Sequence, residues 1–195
     1  MTKTHLEAPT TTAERQSAAK SMAAQLSNKL IIGGRLVDAI TRESFPVENP
    51  ATAEVIGHAP RCGTQDVEQA VATAQSAFAV WSAIPARQRS AIMIEAAQRL
   101  EHESETLAQL SALETGNALL TQTRGEARTM VDILRFYAGL ASEMKGKTIP
   151  WTQDRFLYTK RVPVGVVGGI SVERASDAKP LARSARHSQR ATRSC

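Results

Sequence analysis

Two thiols are the first groups to weigh, because a thiolate is an intrinsically strong nucleophile. Cys62 lies between Arg61 and Gly63 at the start of a predicted helix, where a helix N-terminus can lower a thiol pKa. Cys195 is the final residue of a stretch without hydrophobic pattern, and its expected chemistry is accidental disulfide formation between molecules. Two cysteines are too few for a disulfide framework, so a reducing cytoplasm is the expected compartment. His58 and His102 stand without Cys, Asp or Glu partners at metal-ligand spacing, and His5 and His187 fall in unpatterned segments. The run Glu101-His-Glu-Ser-Glu105 is acidic enough to attract a cation, but a solvated helix end accounts for it better. No metal site and no catalytic residue is assigned. Val164-Gly-Val-Val-Gly-Gly169 invites a nucleotide-loop reading. It lacks the G-x-G-x-x-G spacing followed by a helix, and no acid follows at the right distance.

The charge carries a second temptation. The chain of 195 residues has a net charge of +5, but 6 of its 24 basic residues and only 2 of its 19 acidic residues fall in the last 25 positions. The preceding 170 residues are close to neutral. Arg183, Arg186, Arg190 and Arg193 could hold nucleic acid by charge alone. No aromatic residues interleave with them for base stacking, so such binding would be salt-sensitive and nonspecific, and no specific nucleic-acid role is assigned. There is no apolar run of about 18 residues, which a membrane span needs, and the first 29 residues lack the apolar segment of a secretory signal.

The elements that would position any site follow from spacing. Residues 1–28 are rich in Ala, Thr, Ser and Gln and read as a mobile lead-in, with a weak helix over 12–28. Gly33-Gly34 supplies the positive φ of a tight hairpin between 29 and 38. A strand from Ser44, a turn at Asn49-Pro50 and a strand over Glu54–His58 complete a small antiparallel opening. Four helices are expected next. The first is capped by Thr64 and has its apolar face at Val67, Val71, Ala74, Phe78 and Trp81. Pro85 suits the first turn of the second, which runs through Ile92, Met93, Ala96, Ala97 and Leu100. Ser104 caps the third, with Leu107, Leu110 and Leu113 inward and Gly116 as its stop. The fourth spans about Leu119–Lys145, with a stripe at Met130, Ile133, Leu134, Tyr137, Leu140 and Met144. Gly146 ends it, and Gly125 sets its first turns apart. The period then shortens to that of strands, over Lys147–Ile149, Phe156–Val162 and Val164–Ile170. The last is apolar on both faces, as inside a parallel sheet covered by helices, and helices followed by such a strand suggest an α/β cofactor domain. Ser171–Cys195 shows neither period and on composition is expected to be disordered.

These pieces, taken in order, are similar to the aldehyde dehydrogenase superfamily from about Leu30 to Ile170. The resemblance rests on Ile32-Gly-Gly, Asn49-Pro-Ala-Thr, Val67-Glu-Gln-Ala-Val, Ala77-Phe-Ala-Val-Trp81, Glu114-Thr-Gly116, Phe136-Tyr-Ala, Gly146-Lys-Thr-Ile-Pro150 and Val162-Pro-Val-Gly-Val-Val-Gly168. It implies an incomplete α/β fold: N-terminal antiparallel strands, four helices, oligomerisation-arm strands over about 146–162, and the first strand of a Rossmann-like cofactor domain. The arm would pair with a neighbouring subunit, as a homo-oligomer or with intact dehydrogenase subunits. Its alternation also suits an edge strand able to add to another sheet. Cys62 becomes a surface connection far in sequence from the family's nucleophile, so a structural or neutral role is favoured. Ile170 is the one cofactor-side residue expected here, close to the nicotinamide of NAD or NADP in an intact relative.

The family's chemistry lies further on. A P-W-N asparagine holds the developing oxyanion, a cysteine thiolate attacks the aldehyde, the thiohemiacetal gives hydride to NAD(P), and a glutamate-activated water releases the acid. Ser171-Val-Glu173 stands where P-W-N belongs. Codons offer an explanation. Ser171–Asp177 can be written TCC GTG GAA CGC GCC TCT GAT G, which one base later reads P-W-N-A-P-L-M. His187–Cys195 can be written CAC TCG CAA CGG GCA ACA CGG TCG TGC, which from its third base reads L-A-T-G-N-T-V-V. The family continues with both phrases in that order. The expectation is therefore a chain cut off before its catalytic residues, with a frameshifted tail over 171–195 and no activity of its own. Two alternatives stand beside it: a full-length active enzyme hidden by sequence errors, and a non-catalytic protein that joins intact dehydrogenase subunits.

Overall fold

A computed structural model describes residues 12–170 of the chain. The expectations for His5, Cys195, His187, the four tail arginines and the shifted frame lie outside the described residues. The weak helix expected over 12–28 is present as α1 (Thr12–Leu26), packed against α4 (Ser104–Thr115) and β4 (Val55–Pro60), with Ala19 fully buried.

Strands come as three separate antiparallel hairpins. β1 (Lys29–Ile32) pairs with β2 (Arg35–Asp38), Ile32 facing Arg35 across the turn. Gly33 and Gly34 have φ of 60° and 74°, the two positive values that a two-residue turn matching strand twist requires. β3 (Ser44–Glu48) pairs with β4 through a bulge at Val47/Glu48. Their turn is built by Asn49, which is buried. Its Oδ1 accepts from Ala51 N–H at 2.9 Å, and its own N–H donates to the Glu54 carbonyl at 2.8 Å. A side-chain amide that mimics a backbone turn is the usual reason for Asn at such a position. β5 (Lys147–Thr152) and β6 (Arg155–Thr159) form the third hairpin, exposed along its whole length.

The core lies between α3 (Ala86–His102) and α5 (Arg124–Gly139). Met93 and Ala97 of α3 meet Val131, Leu134 and Ala138 of α5, with Leu100, Ile133 and Tyr137 closing the margin. Alanines at the contact let two helices approach closely, and in a chain with only 4% aromatic residues the buried cluster itself is aliphatic. The buried line on α5 is Ala127, Val131, Leu134, Ala138. It is rotated from the expected stripe, of which Leu134 is buried and Met130, Ile133, Tyr137 and Leu140 are half-buried.

Several boundaries move. Thr64 is the first residue of α2 (Thr64–Ala83) and Gly63 is its cap, while Glu103, not Ser104, precedes α4. Gly116 ends α4 in the left-handed region at φ 71°, as expected. The long fourth helix is three pieces: a π-helical turn over Leu119–Thr123, α5, and a 3-10 turn over Ala141–Glu143. Its α-helical part, α5, stops at Gly139, ahead of the expected Gly146. On α2 the expected face is only partly used. Phe78 and Trp81 are half-buried, but Val67 and Val71 are 57% and 51% exposed, because no other described element lies over them. The expected strand over Val164–Ile170 is a correction. The segment carries no strand pairing, and Val164 is 56% exposed. Apolar content does not make a strand without a neighbour to accept its hydrogen bonds, and none of the described strands lies beside it.

Candidate functional site

Cys62 lies in the link between β4 and α2, exposed, with its thiol 3.8 Å from the Pro60 carbonyl. Beside it, Asp66 lies in the first turn of α2. That carboxylate is buried at 3% exposure, and Oδ2 accepts from Gly63 N–H at 2.9 Å while Oδ1 accepts from Ile40 N–H at 3.0 Å. The acid thus takes the positive end of the helix dipole and ties it to the loop after β2. The signal for Asp66 was legible as an acid at the third helical position, although Gly63 does not resemble the usual hydroxyl or amide cap.

The acidic run at the α3–α4 junction is similarly committed. Glu101 receives a two-pronged bond from Arg135 of α5, at 3.2 and 2.5 Å. Glu105 receives another from Arg124, at 2.9 and 2.7 Å, and accepts from Gln109 as well. Hydrogen bonding to these carboxylates raises both guanidinium pKa values. The run is thus a pair of arginine clasps joining α3 and α4 to α5, which sequence spacing could not show, since the partners are 34 and 19 residues apart. His102 sits in a shallow depression on α3 with Glu95, Gln98, Arg99 and Glu103. His58 is exposed on β4. Its backbone N–H donates to Ser27 Oγ at 3.0 Å and its carbonyl accepts from Asn28 N–H at 2.8 Å, which fixes the α1–β1 corner. Among the described residues no three His, Cys, Asp or Glu side chains gather into a group able to hold a metal.

Ile170 ends the described segment 92% exposed. Within the described residues no helix N-terminus follows Val164–Gly169 to receive a pyrophosphate, and the neighbouring valines are exposed. The remaining feature is the β5–β6 hairpin. Cross-strand pairing puts Ile149 opposite Leu157 and Pro150 opposite Phe156, so alternation gives both faces apolar side chains. Phe156 and Tyr158 share one face with ring centroids 5.7 Å apart. Near the tip, hydrogen bonds from Thr152 and from its own backbone N–H hold the Asp154 carboxyl below its usual pKa.

Comparison with known proteins places this order of hairpins, helical layer and exposed ribbon. The sequence matches the Aldehyde dehydrogenase family over residues 36–172. The fold is similar to HpcC from Thermus thermophilus, with TM-score 0.73 and 30% identity, covering 78% of this chain and 30% of that one. It is similar to the NAD+ complex of aldehyde dehydrogenase from Bacillus cereus, with TM-score 0.70 and 31% identity over 74% of this chain and 30% of that one. PnpE from Pseudomonas sp. WBC-3 matches at TM-score 0.66 and 34% identity, over 70% of this chain and 28% of that one. The chain belongs to the aldehyde dehydrogenase family. It spans less than a third of the length of these relatives. No described helix is long and apolar enough to cross a membrane.

Proposed function

We propose that this chain represents the N-terminal part of an NAD- or NADP-dependent aldehyde dehydrogenase, an enzyme that oxidises an aldehyde to a carboxylate, and that residues 1–195 do not themselves turn over. One observation carries the reading. The chain matches the family over residues 36–172, and Ser171-Val-Glu173 stands where the resemblance leads one to expect P-W-N. No reaction step is assigned to the described residues. Ile170 is the residue that would lie near the nicotinamide in a completed pocket. The frame changes inferred for 171–195 make that segment a shifted reading of an aldehyde dehydrogenase gene. Resequencing from codon 160 to well past codon 195 tests this. A corrected frame continuing through P-W-N to a cysteine nucleophile makes the protein an ordinary active dehydrogenase. Absence of a continuation in every frame sinks the frameshift. For inactivity the measurement is NAD(P)H formation by the purified 195-residue chain with a panel of aldehydes, where aldehyde-dependent turnover would overturn the reading.

A second reading rests on the β5–β6 hairpin, whose two faces are apolar and exposed. It is that the chain joins a further copy or an intact dehydrogenase subunit through this ribbon. Co-expression with a full-length homologue carrying a different tag tests it. Co-purification that is lost in a Phe156→Ser/Tyr158→Ser variant supports it, and separate elution of the two proteins excludes it.

A further inference from the structure

We draw no further inference here: the strongest candidate, the uncovered apolar segment Val162–Ile170 that follows the β5–β6 hairpin, exposes Val162, Val164, Val166, Val167 and Ile170, and nothing in the structure shows what covers it.

Discussion

Asp66 serves two backbone N–H groups from segments 26 and 3 residues away, and it does so from a buried position. Replacing it with Ala leaves both donors without a partner, a loss of about 1–3 kcal/mol for an unsatisfied buried group. Asp66→Asn keeps one oxygen and is expected to fall between wild type and Asp66→Ala in a urea titration. Equal midpoints for all three proteins would show that the contact contributes nothing. Gly116 is the second sensitive residue. A Cβ there would come within 2.7 Å of Pro50 Cγ, and the backbone sits at φ 71°. Gly116→Ala is expected to destabilise by at least the roughly 1 kcal/mol of left-handed strain, again read from the urea midpoint. Asp38 gives a pH signature. The hydrogen bond and charge of Lys29 hold its carboxyl below the ordinary value. A depressed folded-state pKa adds stability above the unfolded-state pKa, and this is lost as pH falls through the folded value. The pair is exposed, so the effect is small. In thermal melts between neutral and acid pH, Asp38→Asn is expected to lower the midpoint near neutrality and to converge with wild type in acid.

At the scale of elements, the α3–α5 contact is where the described fold is held. Leu134 is 8% exposed and central to that contact, so Leu134→Ala is expected to cost about 2–4 kcal/mol, read from chemical denaturation. Leu120, 75% exposed in the π-helical turn, supplies the control. Leu120→Ala is expected to change stability by less than about 0.5 kcal/mol. The contrast also marks what the sequence made legible. Hairpins announced by Gly33-Gly34 and Asn49-Pro50, and the stop at Gly116, were readable because each depends on local backbone chemistry. The exact face of α5 was not, since Ala127 and Ala138 look neutral until another helix is brought against them. The face of α2 at Val67 and Val71 and the segment Val164–Ile170 carry the pattern of buried elements. Their burial depends on partners that the described residues do not supply. The candidate site was legible only as family phrases. The arginine clasps that occupy Glu101 and Glu105 required the fold.

For the whole molecule, the feature to be explained is the amount of apolar surface left uncovered. Ile31, Val80, Leu120, Trp151, Phe156 and Ile170 are each more than two-thirds exposed. Large exposed apolar patches mark interaction surfaces or association hazards. The purified chain is accordingly expected to bind an apolar dye strongly and to sediment with a concentration-dependent mass. A monomer at every concentration with weak dye binding would show that these side chains are shielded. The uneven charge adds a separable expectation. Since most of the net positive charge belongs to the last 25 residues, removing 171–195 should reduce retention on a cation exchanger and leave the mass dependence unchanged.

The π-helical turn carries a consequence for how this chain tolerates changes in length. Thr123 N–H reaches back five residues to the Ala118 carbonyl at 3.3 Å, and Arg124 N–H reaches back five to Leu119. A turn closed over five residues holds one more than an α-helical turn needs. Deleting one residue from this turn would leave enough chain for an ordinary α-helical turn, with Ala127, Val131, Leu134 and Ala138 still on one line. The same deletion inside α5 would rotate half that line by about 100° away from α3. The turn is thus the place in the helical layer where the gene can lose a codon and keep the core.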